Sequence, residues 1–380
     1  MKDLSEIRKE LDLIDDELIL LYQKRMALSK EVGLNKAKTG KMVNDSEREN
    51  AIVYRLANKT PKELHLYVKE LYKTIFDTSK AYQSNFITLT SKTVERLNEI
   101  LSKEREVMPV TAPVACQGIK GANSGDAARK IFPVSNITYF KNFEGVFNAV
   151  DKGLCEYGVL PIENSTAGSV LEVYDLMKKY KFHIVKSVRS KIDHCLVGVT
   201  GVDMAEIKTV YSHPQALSQC AEYLKKLGIE GVAVENTAVA AKMVAEKGDK
   251  TVGALCSSDC ASVYGLKILE KCVQDSSSNY TRFICISKEL KVYKGADRIS
   301  VMTSLSHKPG SLNDILSKFS SLGLNLTKIE SRPIMNSEFE FMFYFDFFGD
   351  VSDKEVKNLI AELENGSDNF AFLGSYSEII

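Results

Sequence analysis

LSEIRKELDLIDDELILLYQKRMALSKEV, residues 4–32, places an apolar residue at alternating steps of three and four. Leu4, Leu11, Leu18 and Val32 fall on one row, and Ile7, Ile14, Leu21 and Leu28 on the other. A heptad this regular predicts a long helix whose seam packs against partner helices. The remaining slot of the first row holds Arg25. A guanidinium drawn into a desolvated seam is costly unless it is paired. Position alone leaves three outcomes open: the side chain snorkels to the helix edge, it meets an internal acid, or it lines a pocket for an anionic ligand.

Working outward, the long helix is expected to fray around Gly33 to Gly40. Ser46 and Glu49 form a capping box for a second helix. Thr60, Pro61 and Glu63 open a third, with Thr60 as N-cap and an apolar stripe of Leu64, Val68, Leu71, Ile75 and Tyr82. Ser79 and Gln83 sit four apart beside that stripe, where polar groups need partners. Asp45, Arg48 and Glu49 share one face, which reads equally as a solvated charged surface or as a ligand-facing one.

Arg8 flanks the start of the seam and Lys36 its end. At about 1.5 Å rise per residue, Arg25 and Lys36 lie roughly 16 Å apart, within reach of one small anion. Arg8 is roughly 26 Å from Arg25 along the axis. It joins such a pocket only from a second, antiparallel chain, which makes a helical dimer with two equivalent pockets the economical arrangement. The ordered set Arg8, Arg25, Lys36, Asp45, Arg48, Glu49, Ser79 and Gln83 resembles the helical chorismate mutase family. The resemblance implies rearrangement of chorismate to prephenate, with Arg8 supplied by the other chain. Arg8, Arg25, Arg48 and Ser79 hold the carboxylates, Lys36 and Gln83 face the ether oxygen, and Asp45 and Glu49 orient the ring hydroxyl. A Claisen rearrangement needs no base or nucleophile, so positioning and donors suffice.

The whole chain has 380 residues, enough for two or three cores. Fifty Lys and Arg balance fifty Asp and Glu. No global field therefore recruits nucleic acid or an anionic membrane. The charged, amphipathic start lacks the apolar core of a signal peptide, and no run approaches membrane-span length, so a soluble, cytoplasmic protein is expected. Eight scattered cysteines and five histidines show no metal-ligand spacing, so reduced core thiols, no metal and no cofactor are expected.

From residue 111 to 291, β-rich runs alternate with helical ones, from APVAC (112–116) to TRFICIS (281–287). That alternation predicts α/β layers, and two such lobes suit a small ligand between them. PIENSTAGSV (161–170) and YSHPQALSQC (211–220) each place polar groups after a strand and before a helix start, where free N–H groups favour anions. Singly, each reads equally well as ordinary capping. Together, PIEN, SHPQ and Thr281-Arg282-Phe283 resemble prephenate dehydratase, which implies decarboxylation and dehydration of prephenate to phenylpyruvate. Thr281 then serves the departing hydroxyl, Asn164, Ser165, Ser212 and Gln215 fix the substrate, and Arg282 or nearby N–H groups take a carboxylate. Threonine is a weak acid, so a water or His213 is an alternative proton source. The glycine loop CQGIKGANSG (116–125) departs from the family around Ser124, where Asn123 precedes and Gly125 follows.

Residues 296–380 read strand, helix, strand, strand, helix, strand, the βαββαβ order of a ferredoxin-like fold. HKPGSL (307–312) and IESRP (329–333) are by themselves turn punctuation. The pair resembles the ACT regulatory module, with Ser311 in place of the usual alanine. This implies L-phenylalanine at Pro309, Gly310, Ser311, Leu312, Glu330, Ser331, Arg332 and Pro333, and feedback control. The expected layout is a multidomain chain: an all-α mutase domain (1–91), a polar linker (92–110), a two-lobed α/β dehydratase domain (111–291) and an α+β ACT domain (296–380). It implies a homodimer or homotetramer acting as isomerase and lyase in phenylalanine biosynthesis. A non-catalytic amino-acid sensor and an arogenate dehydratase are the competing readings.

Overall fold

The structure, a computed structural model, describes residues 3–39, 46–84, 86–305, 308, 310–334 and 341–380. Asp45 and Pro309 lie outside the described residues. The chain divides into two compact units, Met1–Glu99 with Met302–Phe370, and Ile100–Val301 with Ala371–Ile380.

The first unit begins with α1 (Leu4–Thr39), α2 (Ser46–Ala57), α3 (His65–Ser84) and α4 (Lys92–Leu101). Contrary to expectation, α1 runs unbroken through Gly33. A Cβ there would press on the Gln83 backbone at 3.1–3.2 Å, so glycine serves a close crossing with α3 rather than a helix end. The face α3 buries carries Phe76, Ser79 and Gln83, one row round from the expected stripe, while Leu64 and Leu71 stay exposed. Thr60 does not cap α3. Its hydroxyl donates to Ala57 O at 2.9 Å, closing α2, and a short 3-10 turn at Lys62–Leu64 leads into α3. The heptad seam remains bare within one chain: Leu4, Leu11, Leu18, Leu21 and Leu28 are 51–62% exposed.

This unit also carries most of a four-stranded sheet made from β12 (Arg298–Leu305), β13 (Leu326–Pro333), β14 (Phe341–Phe348) and β15 (Phe370–Tyr376), with α12 (Ser311–Ser321) and α13 (Lys354–Asn365). Its order, β13-β14-β12-β15, is the ferredoxin-like order expected. The stretch expected to be a polar linker is instead structured. Ser91 Oγ accepts from Val94 N at 3.3 Å to start α4, whose Val94 and Leu97 are buried. Within it, Glu364 accepts from Thr93 N at 3.1 Å and Lys357 donates to Asn98 Oδ1 at 2.9 Å, while just before it Asn358 of α13 accepts from Leu89 N at 3.0 Å and donates to Ile87 O at 2.9 Å. The apolar residues of α4 are too few among its charges to stand out in the sequence.

The second unit holds two α/β lobes. The first has β1 (Pro113–Gln117), α5 (Asn123–Ile131), β2 (Asn136–Phe140), α6 (Phe143–Asp151), β3 (Tyr157–Asn164), β4 (Gly168–Ser169), α7 (Leu171–Tyr180) and β5 (His183–Lys191). The second has β6 (Cys195–Gly198), β7 (Thr209–Ser212), α8 (Pro214–Gln219), α9 (Ala221–Leu227), β8 (Glu230–Ala233), α10 (Thr237–Lys247), β9 (Val252–Cys256), α11 (Ser258–Val263) and β10 (Lys267–Glu270). The chain then returns through β11 (Tyr280–Ser287) to the first sheet, and β16 (Glu378–Ile379) closes its edge. The orders are β16-β5-β11-β3-β1-β2, with β4 on β3, and β10-β6-β9-β7-β8. The returning strand pairs antiparallel with both β3 and β5, which sets Thr281 opposite Asn164.

Candidate active sites

In the helical region, α1 and α3 bring Arg25 to Ser79. The guanidinium hydrogen-bonds Ser79 Oγ and lies over the Phe76 ring, 5.5 Å from its centroid. Among the described residues no carboxylate pairs with it, and the cation sits half-buried on an aromatic face. Ser79 is held in turn, donating to Ile75 O at 2.6 Å. One turn further along α3, the buried Gln83 Oε1 has no partner among the described residues, which leaves the amide able to meet a ligand. Lys36 is half-buried on α1 and Arg48 is exposed on α2. Glu49 is paired with Lys80 at 3.2 Å, a lysine the sequence did not single out because it reads as one more surface charge. Arg8 is exposed near the start of α1.

In the second unit, a cavity of about 300 Å³ lies between the two lobes. Asn164, His213, Gln215 and Thr281 line it, together with Asn123 and Ser124 of the glycine loop. Asn164 is the hub. Its Nδ2 donates to Thr281 Oγ1 at 2.9 Å, to Asn279 Oδ1 at 2.8 Å and to Tyr280 O at 3.2 Å. Its Oδ1 accepts from Thr166 and Ala167 N–H and, across the cleft, from Gln215 Nε2 at 3.2 Å. A hydroxyl oxygen that accepts from Asn164 turns its own proton elsewhere, and the free direction for Thr281 is the cavity.

Three expected residues do not line the cavity. Ser165 pins the start of β11, donating to Ser278 O at 2.8 Å and accepting from Tyr280 N at 2.9 Å. Ser212 is fully buried and donates to Leu255 O at 2.8 Å, tying β7 to β9. Arg282, the next residue of β11, faces the other side of the sheet, where its Nε lies 3.3 Å from Glu378. The alternation of a strand separates it from Thr281, so it is not the carboxylate ligand expected.

Residues missed by sequence reasoning complete the wall. Asn279 Nδ2 and His194 Nε2 both meet Gln219 Oε1 at 3.0 Å, and Gln219 Nε2 donates to Thr166 Oγ1 at 2.7 Å. Gln219 lay within the quoted YSHPQALSQC, one helical turn beyond Gln215, which was the available signal. Burial pushes both His194 and His213 below the ordinary histidine value, although the Gln219 contact opposes this at His194. His213 Nδ1 accepts from Gln215 N at 3.2 Å, so this ring is a neutral capping group, not a stored proton. Among the described residues lining the cavity there is no Lys or Arg. Asn123 and Ser124 begin α5, and Asn236 and Thr237 begin α10, so two helix N-termini, whose dipoles favour negative charge, border the space. Gly125 makes room for Tyr139, whose hydroxyl would collide with a Cβ there.

Near the chain end, Gly310 (φ +92°) precedes α12, which starts at Ser311. Leu312 is 36% exposed. On the edge strand β13, Glu330 and Arg332 share one half-buried face, and Ser331 and Pro333 point to the exposed one. Among the described residues no helix is long and apolar enough to cross a membrane, and no cluster of ligating side chains is arranged for a metal ion.

A cation-bearing helical site and a neutral two-lobed cleft on one chain define a fused enzyme for small anionic substrates. Residues 7–84 match the family described as chorismate mutase type II, and residues 114–291 match prephenate dehydratase. A bifunctional chorismate mutase/prephenate dehydratase from Escherichia coli (strain K12) is 30% identical over 386 residues, covering 98% of this chain and 96% of its own. Arogenate dehydratase 2 of Petunia hybrida is 39% identical over 280 residues, covering 69% of this chain and 71% of its own. A solved prephenate dehydratase from Arthrobacter aurescens, in complex with L-Phe, superposes with a TM-score of 0.64 at 28% identity, covering 70% of this chain and 89% of that one. The chain belongs to the bifunctional chorismate mutase/prephenate dehydratase family.

Proposed function

We propose that Arg25, Lys36, Arg48, Ser79 and Gln83 of one chain, with Arg8 of a second, bind chorismate and turn it into prephenate. The half-buried Arg25, which has no carboxylate partner among the described residues, supports this reading, because a dianion gives it a counterion, while the Nε2 end of Gln83 is the donor for the ether oxygen. The bare leucine seam of α1 supports an antiparallel partner that delivers Arg8. Glu49, held by Lys80, orients the ring hydroxyl with Asp45.

Prephenate then enters the cleft. The carboxylate on the ring leaves as carbon dioxide, its bonding pair forms the new ring double bond, and the ring hydroxyl departs. Thr281 donates a hydrogen bond to that oxygen as charge grows on it, and solvent supplies the proton that completes water. The single observation carrying this step is the 2.9 Å bond from Asn164 to Thr281 Oγ1, which leaves the threonine proton aimed at the cavity. The helix starts at Asn123 and Thr237 receive the carboxylate that is retained. L-phenylalanine binds the βαββαβ module around Gly310, Ser311, Leu312 and Glu330 to Pro333, and inhibits dehydration.

Feeding chorismate and following prephenate and phenylpyruvate, with and without L-phenylalanine, tests all of this at once. Absence of both products would refute catalysis in favour of a sensor. The likeness to the Petunia enzyme favours a second reading, in which the cleft also takes arogenate. Supplying arogenate and measuring phenylalanine release separates the two substrates.

A further inference from the structure

On the face of the first sheet opposite the cavity, three arginines converge on one carboxylate. Glu378, with a side chain only 2% exposed, lies 2.9 Å from Arg189, 3.0 Å from Arg298 and 3.3 Å from Arg282. Arg282 Nη2 also donates to the Tyr376 hydroxyl at 2.6 Å, and that hydroxyl meets Ser300 Oγ at 2.7 Å. The register explains why a carboxylate is needed here. Arg282 of β11 stands directly opposite Arg189 of β5, and like charges across a strand pair repel unless something bridges them. β16 pairs parallel with β5 through Glu378 and Ser187, which puts the bridging anion on that edge. On its other side Arg282 stands opposite Glu163 of β3, whose carboxylate lies 3.8 Å away, and the β11–β3 ladder slips register between Arg282 and Phe283 while the β11–β5 ladder runs on unbroken there. Gly374 permits the approach of the terminal segment, since any Cβ there would collide with Ile184 O.

We propose that Glu378 is a positioning residue for dehydration, clamping Arg282 and Arg189 so that the neighbouring Thr281 is aimed at the departing hydroxyl. The inference rests on the lyase reading above. Thr281 and Arg282 are consecutive on one strand, so any shift that separates the two guanidiniums rotates or slides Thr281 against Asn164. A misplacement of about 1 Å at a reacting group costs roughly 100-fold in rate.

The test uses the full chain, with prephenate as substrate. Glu378→Gln is expected to lower kcat for phenylpyruvate by about 100-fold, leave KM within about threefold, and keep mutase turnover unchanged, because removing the bridge misaligns Thr281 without emptying the cavity. Glu378→Asp, which restores the charge, is expected to recover most of the loss. A folded Glu378→Gln chain with kcat within about threefold of wild type, or with the loss confined to KM, overturns the proposal. Should Glu378→Gln fail to fold, Tyr376→Phe decides. It removes one hydroxyl from Arg282 and is expected to lower kcat about three- to tenfold, and an unchanged kcat overturns the role. A wild-type chain that releases no phenylpyruvate sinks the lyase reading and this role together. A wild type that does, beside a variant that equals it, sinks only the role of Glu378.

Discussion

Thr281→Ala separates chemistry from folding in the cleft. The hydroxyl it deletes accepts one hydrogen bond, from Asn164 Nδ2, and that amide keeps Asn279 Oδ1 at 2.8 Å and Tyr280 O at 3.2 Å. No buried group is orphaned, so the cost in stability is about 1 kcal/mol. The transition state loses more. One donor aimed at an oxygen that gains charge in a dry site is typically worth about 3 to 4 kcal/mol, roughly 100- to 1,000-fold in kcat. The variant is therefore expected to melt close to wild type, keep mutase turnover, and release phenylpyruvate from prephenate about 100-fold or more slowly. Thr281→Ser, which retains the hydroxyl, is expected within about tenfold of wild type. A folded alanine variant with kcat within about threefold of wild type would remove Thr281 from the reaction and leave the Asn164 network as scaffolding.

Arg25→Ala is expected to abolish prephenate formation from chorismate while dehydration of added prephenate continues; a folded, fully active variant would end the assignment. If Arg8 comes from a second chain, mixing Arg8→Ala with Arg25→Ala chains rebuilds one complete site in each mixed dimer, and about a quarter of wild-type mutase turnover is expected at equal amounts. No recovery after exchange of subunits would argue against sharing. His194 carries a lowered pKa in the fold, from burial first, against an ordinary value of 6.5. Below about pH 6.5 the unfolded chain binds a proton that the folded chain refuses, so its contribution to stability is present above that pH and is lost as pH falls towards the folded pKa. Melting curves between about pH 5 and 8 should therefore flatten for His194→Gln, and an identical slope would exclude this histidine.

The parts of this molecule that repeat a simple period were open to sequence reading. The heptad gave α1, the alternation of short apolar runs gave the two α/β lobes, and the order of elements in the last module gave its sheet. Side chains that work by direction were less open. Arg282 looked like a ligand because it neighbours Thr281, yet strand alternation turns it to the opposite face and Glu378, nearly a hundred residues on, fixes it there. Gln219 and Asn279 escaped notice because an amide in a helix or loop carries no pattern until the fold places it beside Asn164. The α4 segment read as a linker because its partners, Glu364 at Thr93 N and Lys357 at Asn98, lie far away in sequence.

The two sites treat the same kind of anion in opposite ways, and the chemistry explains why. A rearrangement keeps both carboxylates to the end, so guanidiniums that hold them restrain reactant and transition state alike and fold the dianion into shape. Decarboxylation discharges one carboxylate as the reaction proceeds. A cation clamped on that group would stabilise the reactant more than the transition state and slow the step. A cavity lined by amides and a hydroxyl and bordered by helix N-termini, with Arg282 turned away to Glu378, would on the proposed reading bind the dianion by weaker, distributed donors. The proposed role of Thr281 fits this: the carboxylate would be free to lose its charge while Thr281 meets the charge that appears on the departing oxygen.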